Sequence, residues 1–170
     1  PRKNERQKKN TISLWCKVIV GCIPAGIIGI LFDDVIDKYL STYIVIGITL
    51  LVYGILFIVV ENRNASMTPK VTKLKELTYQ TAFLIGCFQV LALIPGTSRS
   101  GATIIGALLI GVSRSVAAEF TFFLAIPVMF GASLLKVVKF GFSFTALEIG
   151  VLITGTFVSF AVSLLAVRFL

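Results

Sequence analysis

Residues 12–32, 40–60, 116–138 and 147–170 are four long apolar runs, each about as long as the ~20 residues a helix needs to cross a hydrocarbon core of about 30 Å. They are continuous, not split into ten-residue segments of alternating polarity, so they predict membrane helices and not barrel strands. Composition agrees: 56% of residues are hydrophobic and only 14% charged, with mean hydropathy +0.96. An average soluble domain is about 25% charged, and one of this size could not hide so much apolar surface. The expected fold is an all-α integral membrane protein, with one membrane domain over residues 1–170.

The net charge is +8, concentrated at a few places. Arg2, Lys3, Arg6, Lys8 and Lys9 crowd the start of the chain, and Arg63, Lys70, Lys73 and Lys75 fall in a polar loop at residues 61–76. Between them, Asp33, Asp34, Asp37 and Lys38 suggest a short acidic loop. The order basic, acidic, basic predicts the first segment and the 61–76 loop on the cytoplasmic side and the acidic loop outside. On this reading the basic clusters orient the chain in the membrane and do not bind nucleic acid. Asp33 and Asp34 read as solvated loop carboxylates before a metal pair. Cys16, Cys22 and Cys87 all lie in apolar runs, which favours packing over disulfides or metal ligation. The absence of histidine removes Ser-His chemistry and His-ligated metals from this stretch. The chain starts at Pro1 and stops at Leu170 within or beside an apolar run, so an internal segment of a longer protein is expected.

One polar heptad interrupts this pattern. Residues 95–101 read Pro-Gly-Thr-Ser-Arg-Ser-Gly, with apolar sequence on both sides. An ionisable residue at such a position is a functional-site hypothesis by default. The run after it, 101–112, gives only about 18 Å of helix, too short to span. The predicted arrangement is a re-entrant hairpin over residues 77–112. It enters from the cytoplasmic side, turns at the heptad and returns to Arg114, with its tip lining a wet cavity.

The heptad's chemistry suits an anion. Pro95 ends the incoming helix, while Gly96 and Gly101 permit tight backbone and close approach of a ligand. Thr97 or Ser98 can cap the outgoing helix, whose N-terminus offers free N–H groups and a partial positive charge. Arg99 adds a fixed charge in a fork suited to phosphate oxygens. Ser98, Ser100 and Thr103 add hydroxyls, and the amides of Gly101 and Ala102 are candidate donors. Gln89 on the incoming helix either reaches the cavity or makes an interhelical hydrogen bond. The bland alternative is a capped turn whose arginine pairs with an acid elsewhere. The heptad is no Walker A loop, since the Gly-Lys-Ser/Thr ending is missing. Glu119, near the start of the third spanning run, is expected to pair with Arg114.

The stretch Gln89-Val-Leu-Ala-Leu-Ile-Pro-Gly-Thr-Ser-Arg-Ser-Gly-Ala-Thr103 resembles the second signature of the undecaprenyl-diphosphate phosphatases, bacterial envelope enzymes of the bacitracin-resistance type. Ala117-Ala-Glu-Phe-Thr-Phe-Phe-Leu-Ala-Ile-Pro127 is similar to that family as well. The resemblance implies hydrolysis of undecaprenyl diphosphate to the monophosphate, recycling the lipid carrier for peptidoglycan synthesis. It implies an inverted-repeat architecture, of which this chain holds one half, in the bacterial cell membrane with the site facing outward. The family's first signature, a Glu-x-x-x-Glu pair with a nearby Ser and His, has no counterpart here. The divalent cation (Mg or Ca) that the resemblance implies would then have its ligands elsewhere, and this stretch alone should be inactive. Water or a serine, Ser98 or Ser100, remains open as nucleophile. The expected partners are the isoprenoid lipid diphosphate and membrane lipid, and a homodimer is allowed. The alternative function is a transporter or flippase of a lipid phosphate or other anion, since broken half-helices facing a midplane site are a transporter device too.

Overall fold

The computed structural model describes residues 2–65, 67–141 and 144–169. The side chains of Arg2, Lys3, Arg6 and Asp37 lie outside the described ones. The elements are α1 (Arg2–Leu40), α2 (Tyr43–Ala65), α3 (Tyr79–Val90), α4 (Arg99–Leu109), α5 (Arg114–Phe140) and α6 (Ala146–Phe169), with short 3-10 turns at Leu74–Glu76 and Leu91–Leu93. No strand occurs among the described residues; Val71 and Val112 form an isolated bridge. Within α1, α2, α5 and α6 lie stretches long and apolar enough to cross a membrane: Lys8–Ile36, Tyr43–Asn64, Arg114–Phe140 and Ala146–Phe169. Their large apolar side chains point mostly outward, as Leu51 and Phe130 do. In water such a surface would drive aggregation; in lipid it is the solvated face. The all-α membrane class holds.

One expectation is corrected. The acidic segment 33–38 is not a loop but part of α1, which runs 39 residues from the basic cluster to Leu40. Nothing between Phe32 and Leu40 breaks a helix, and charged residues are ordinary helix formers. The helix therefore projects beyond its apolar window at both ends, and only residues 41–42 make the turn into α2. Pro24 sits inside α1 without ending it.

The chain divides into two units, Pro1–Phe130 and Gly131–Leu170. In the first, α1 packs along α3 and α3 packs on α4. Gly86 lets α1 approach closely, since a Cβ there would collide with the Gly21 carbonyl. This is the small-residue contact by which membrane helices come together. A core of Val18, Leu77, Ile85, Val112, Phe120 and Leu124 joins α1, α3 and α5 with the loop ends. Val60, Ile105 and Leu108 close α2 against α4. α4 is the enclosed element: Gly101, Ala102, Thr103, Ile105, Gly106, Ala107 and Leu108 are all buried. A Cβ at Gly106 would run into the Phe88 ring on α3.

The 61–76 loop is tied to the foot of α4. Lys70 N donates to Gly111 O (2.8 Å), and Ser113 N donates to Val71 O (2.8 Å). Arg114 forms an ion pair with Glu61 (2.9 Å), fastening the start of α5 to the end of α2. The expected partner, Glu119, is five residues away, more than a full turn and on another face of the helix. In the second unit, Gly141 (φ +89°) ends α5 with its N–H on Val137 O, and Thr145 and Glu148 form a capping box at the start of α6.

Candidate functional site

The heptad forms a type II turn followed at once by a capped helix. Thr97 N donates to Ile94 O (3.1 Å), with Pro95 and Gly96 in the two central positions. Gly96 has φ +91°, the left-handed geometry this turn needs at its third residue. The turn is clamped to α2, whose Thr49 hydroxyl donates to Pro95 O (2.9 Å). A Cβ on Gly96 would collide with Thr49 and approach Ile46 O to 2.8 Å, so glycine is required twice over. Leu93 lies beside Gly29 of α1. Thr49 is six residues, about 9 Å, from the start of α2, so the turn reaches most of the way along that helix from its Glu61 end.

Ser98 is the N-cap. Its Oγ accepts from Gly101 N (3.2 Å), and its carbonyl accepts from Ala102 N (2.8 Å). The two amides expected as ligand donors, those of Gly101 and Ala102, are therefore already engaged, and both residues are buried. At the start of α4 the N–H groups left without a partner among the described residues are those of Arg99 and Ser100, as a capped N-terminus requires. Ser98 and Ser100 are exposed, with their hydroxyls 3.2 Å apart. Thr97 turns inward; its Oγ1 is buried beside Tyr53, short of a well-formed hydrogen bond.

Arg99 is half-buried, and its guanidinium reaches Ala125 O of α5 at 3.5 Å, the outer limit of a hydrogen bond. Ala125 is the twelfth of the 27 residues of α5, so the guanidinium stands near the mid-length of that spanning helix. No carboxylate among the described residues forms an ion pair with it. The arginine paired with an acid elsewhere is thus not what this arrangement contains.

Thr103 is fully buried. Its hydroxyl donates back to Arg99 O (3.0 Å) and Ser100 O (3.1 Å) and accepts from Thr121 of α5 (3.0 Å). It braces the first turn of α4 and does not share the open face with Ser98 and Ser100. Gln89 is buried, and its Nε2 has no partner among the described residues, so this nitrogen makes no interhelical hydrogen bond. Two residues escaped the sequence reading: Thr121, a hydroxyl early in an apolar run, and Thr49, which clamps the turn. Thr121 could have been flagged as the one small polar residue early in that run. Thr49 carries no signal before its partner is known.

A half-buried guanidinium with most of its donors unused, two adjacent hydroxyls and two orphan amides make a cradle for the oxygens of a phosphate or diphosphate. Among the described residues no group of three or more His, Cys, Asp or Glu could hold a metal ion.

Comparison with known proteins places this site in a family context. The family described as Bacitracin resistance protein BacA matches residues 1–170. The chain is 61% identical over 163 residues to the undecaprenyl-diphosphatase of Acetivibrio thermocellus, covering 96% of this chain and 60% of that protein. It is 57% identical over 173 residues to the undecaprenyl-diphosphatase of Enterococcus faecalis strain V583 (100% and 63%), and 62% identical over 163 residues to that of Lachnoclostridium phytofermentans (96% and 59%). The chain thus spans about 60% of the length of these curated relatives.

Proposed function

This chain belongs to the family of the bacitracin resistance protein BacA, and on that footing we propose that the Arg99 cradle binds the diphosphate of undecaprenyl diphosphate for hydrolysis to undecaprenyl phosphate and inorganic phosphate. The full-length enzyme would thereby return the lipid carrier to peptidoglycan synthesis in the bacterial cell membrane. The observation that carries this reading is Arg99 at mid-helix depth, without an acidic partner among the described residues, next to two exposed serine hydroxyls.

The roles follow from the geometry. Arg99 clamps diphosphate oxygens through its fork and stabilises the negative charge that builds as the P–O–P bridge breaks. Ser98 and Ser100 hydrogen-bond the same oxygens, joined by the amides of Arg99 and Ser100. Gly96 and Thr97 shape the turn, and Thr103 with Thr121 fixes the direction in which α4 aims its N-terminus. Gln89 is buried in the last turn of α3, with its Nε2 unsatisfied among the described residues. The helical hairpin α3–α4 is re-entrant and its tip opens toward the outer face; the basic residues at the opposite ends of the helices support that orientation. These residues do not fit the divalent cation that the family resemblance implies, so the roles assigned here belong to the arginine, the hydroxyls and the backbone.

Phosphate release from undecaprenyl diphosphate by the full-length Arg99→Ala enzyme tests the assignment. Loss of a transition-state charge contact should lower turnover by about 100-fold or more. Arg99→Lys keeps the charge without the fork and should recover only part. Near-normal turnover in Arg99→Ala would remove Arg99 from the site.

A further inference from the structure

A second cavity, of about 290 Å³, lies at the basic end of the first unit, away from the heptad turn. Its lining includes Asn10, Ser13 and Lys17 of α1, Lys75 of the loop and Glu119 of α5. Asn10–Lys17 are the opening turns of the apolar window that starts at Lys8, and Glu119 is in the second turn of α5. The cavity therefore sits where a membrane's head groups would lie, not in its hydrocarbon.

Lys17 is the unusual member. It is only 9% exposed, yet its ammonium has just the Tyr79 ring face, 5.8 Å away, as a described partner. A buried cation is normally paired, because removal from water is costly and a ring face compensates only in part. Glu119 opens into the same cavity, but among the described residues neither it, Lys17 nor Lys75 forms an ion pair. Two cations and one anion thus face a shared space without neutralising one another. The space equals roughly ten waters at ~30 Å³ each, room for a phosphate joined to a short amine.

We propose that this cavity binds the zwitterionic head group of an aminophospholipid, its phosphate on Lys17 and Lys75 and its primary ammonium on Glu119. Free phosphate is disfavoured by the Glu119 carboxylate. A glycerol head group leaves that carboxylate without a cation. A choline head group has no N–H to donate to it. The same chemistry is present in soluble phosphoethanolamine, so the source of the head group must be separated by experiment.

Native mass spectrometry of the full-length protein in detergent, titrated with dioleoyl phosphatidylethanolamine, phosphatidylglycerol or phosphatidylcholine, makes that separation. Phosphatidylethanolamine should be retained about ten-fold more than the other two, the effect of one charge-assisted contact. Glu119→Gln should bring its retention down to the phosphatidylglycerol level. Lys17→Met and Lys75→Gln should each weaken all three lipids by about ten-fold. Phosphoethanolamine at millimolar concentration should displace the bound lipid only weakly, because the chains add contact that the free head group lacks. Equal retention of the three lipids, or an unchanged preference in Glu119→Gln, would overturn the proposal, as would tighter binding of soluble phosphoethanolamine than of lipid. Lys75 and Glu119 are both exposed, so their variants keep the test valid even if Lys17→Met fails to fold.

Discussion

The buried threonine pair that joins α4 to α5 offers a quantitative check on how the arginine turn is held. Thr121 donates to Thr103, and Thr103 passes its own proton to the carbonyls of Arg99 and Ser100, with Thr103 0% and Thr121 7% exposed. The two valine substitutions are nearly isosteric, yet they should not be equivalent. Thr121→Val removes a donor and leaves only an unused lone pair on Thr103, costing about 1 kcal/mol. Thr103→Val strips the acceptor from a buried Thr121 O–H and should cost about 2 kcal/mol, since orphaned buried donors lie near 1–3 kcal/mol. The double variant loses both hydroxyls and orphans neither. It should therefore be less destabilised than the sum, with a coupling of about 1 kcal/mol, between the average of about 0.6 and the maximum of about 1.7 kcal/mol for hydrogen bonds between membrane helices. Equilibrium unfolding of the full-length protein in mixed micelles would measure the cycle. If the single effects add to within about 0.3 kcal/mol, the hydroxyl relay does not exist as drawn.

Three other outcomes are expected. Gly86→Ala should destabilise the full-length protein by about 1–3 kcal/mol, because its new methyl meets rigid backbone at Gly21, while Gly26→Ala, with nothing within 4 Å, should be near neutral in the same unfolding measurement. Gly96→Ala should lower phosphate release along with stability, since both the left-handed φ and the Thr49 clamp oppose a side chain; wild-type turnover would show that the turn can be rebuilt without them. The Glu76 carboxylate accepts from the amides of Thr72 (3.0 Å) and Lys73 (3.2 Å), and these bonds, the Thr72 bond foremost, hold its pKa below the usual carboxylate value. Its contribution to the 72–76 turn is thus complete above the unfolded pKa of about 4.3 and disappears as pH falls through the lower folded value. Hydrogen exchange at the Thr72 and Lys73 amides, corrected for intrinsic rate, should lose protection only in that acid window; in Glu76→Gln the pH dependence should vanish.

The membrane class, the number of long spans and the break at the heptad were legible in residue order alone, because apolar run length against bilayer thickness leaves few alternatives. So was the turn: Pro95 followed by Gly96, then a serine before a helix, specifies a type II turn and an N-cap almost without tertiary help. The acidic end of α1 was misread because charge marks where lipid ends, whereas helix ends are marked by breakers, and residues 33–40 contain none. The donors at Gly101 and Ala102 were misassigned because which amides a cap consumes depends on cap geometry. Arg114 went to Glu61 and not Glu119 because loop closure, invisible in one dimension, brings the end of α2 beside the start of α5. The Thr49 contact was out of reach for the same reason, since α3 intervenes between it and Pro95, and the Thr121 contact because residue order does not say which faces of α4 and α5 meet.

Arg99 carries a consequence for evolution and engineering. A guanidinium held at mid-depth by one long hydrogen bond to Ala125 O is a locally frustrated group, a place where the fold is less stable than its sequence length would permit. Replacing it with methionine should raise the unfolding midpoint of the full-length protein even as turnover collapses. Screens that select for thermostability or expression would then favour inactive variants at this position. By the same linkage, a bound phosphate compound supplies the missing counter-charge and should stabilise the protein in proportion to its occupancy. Melting temperature then becomes a readout of ligand affinity that needs no enzymatic assay.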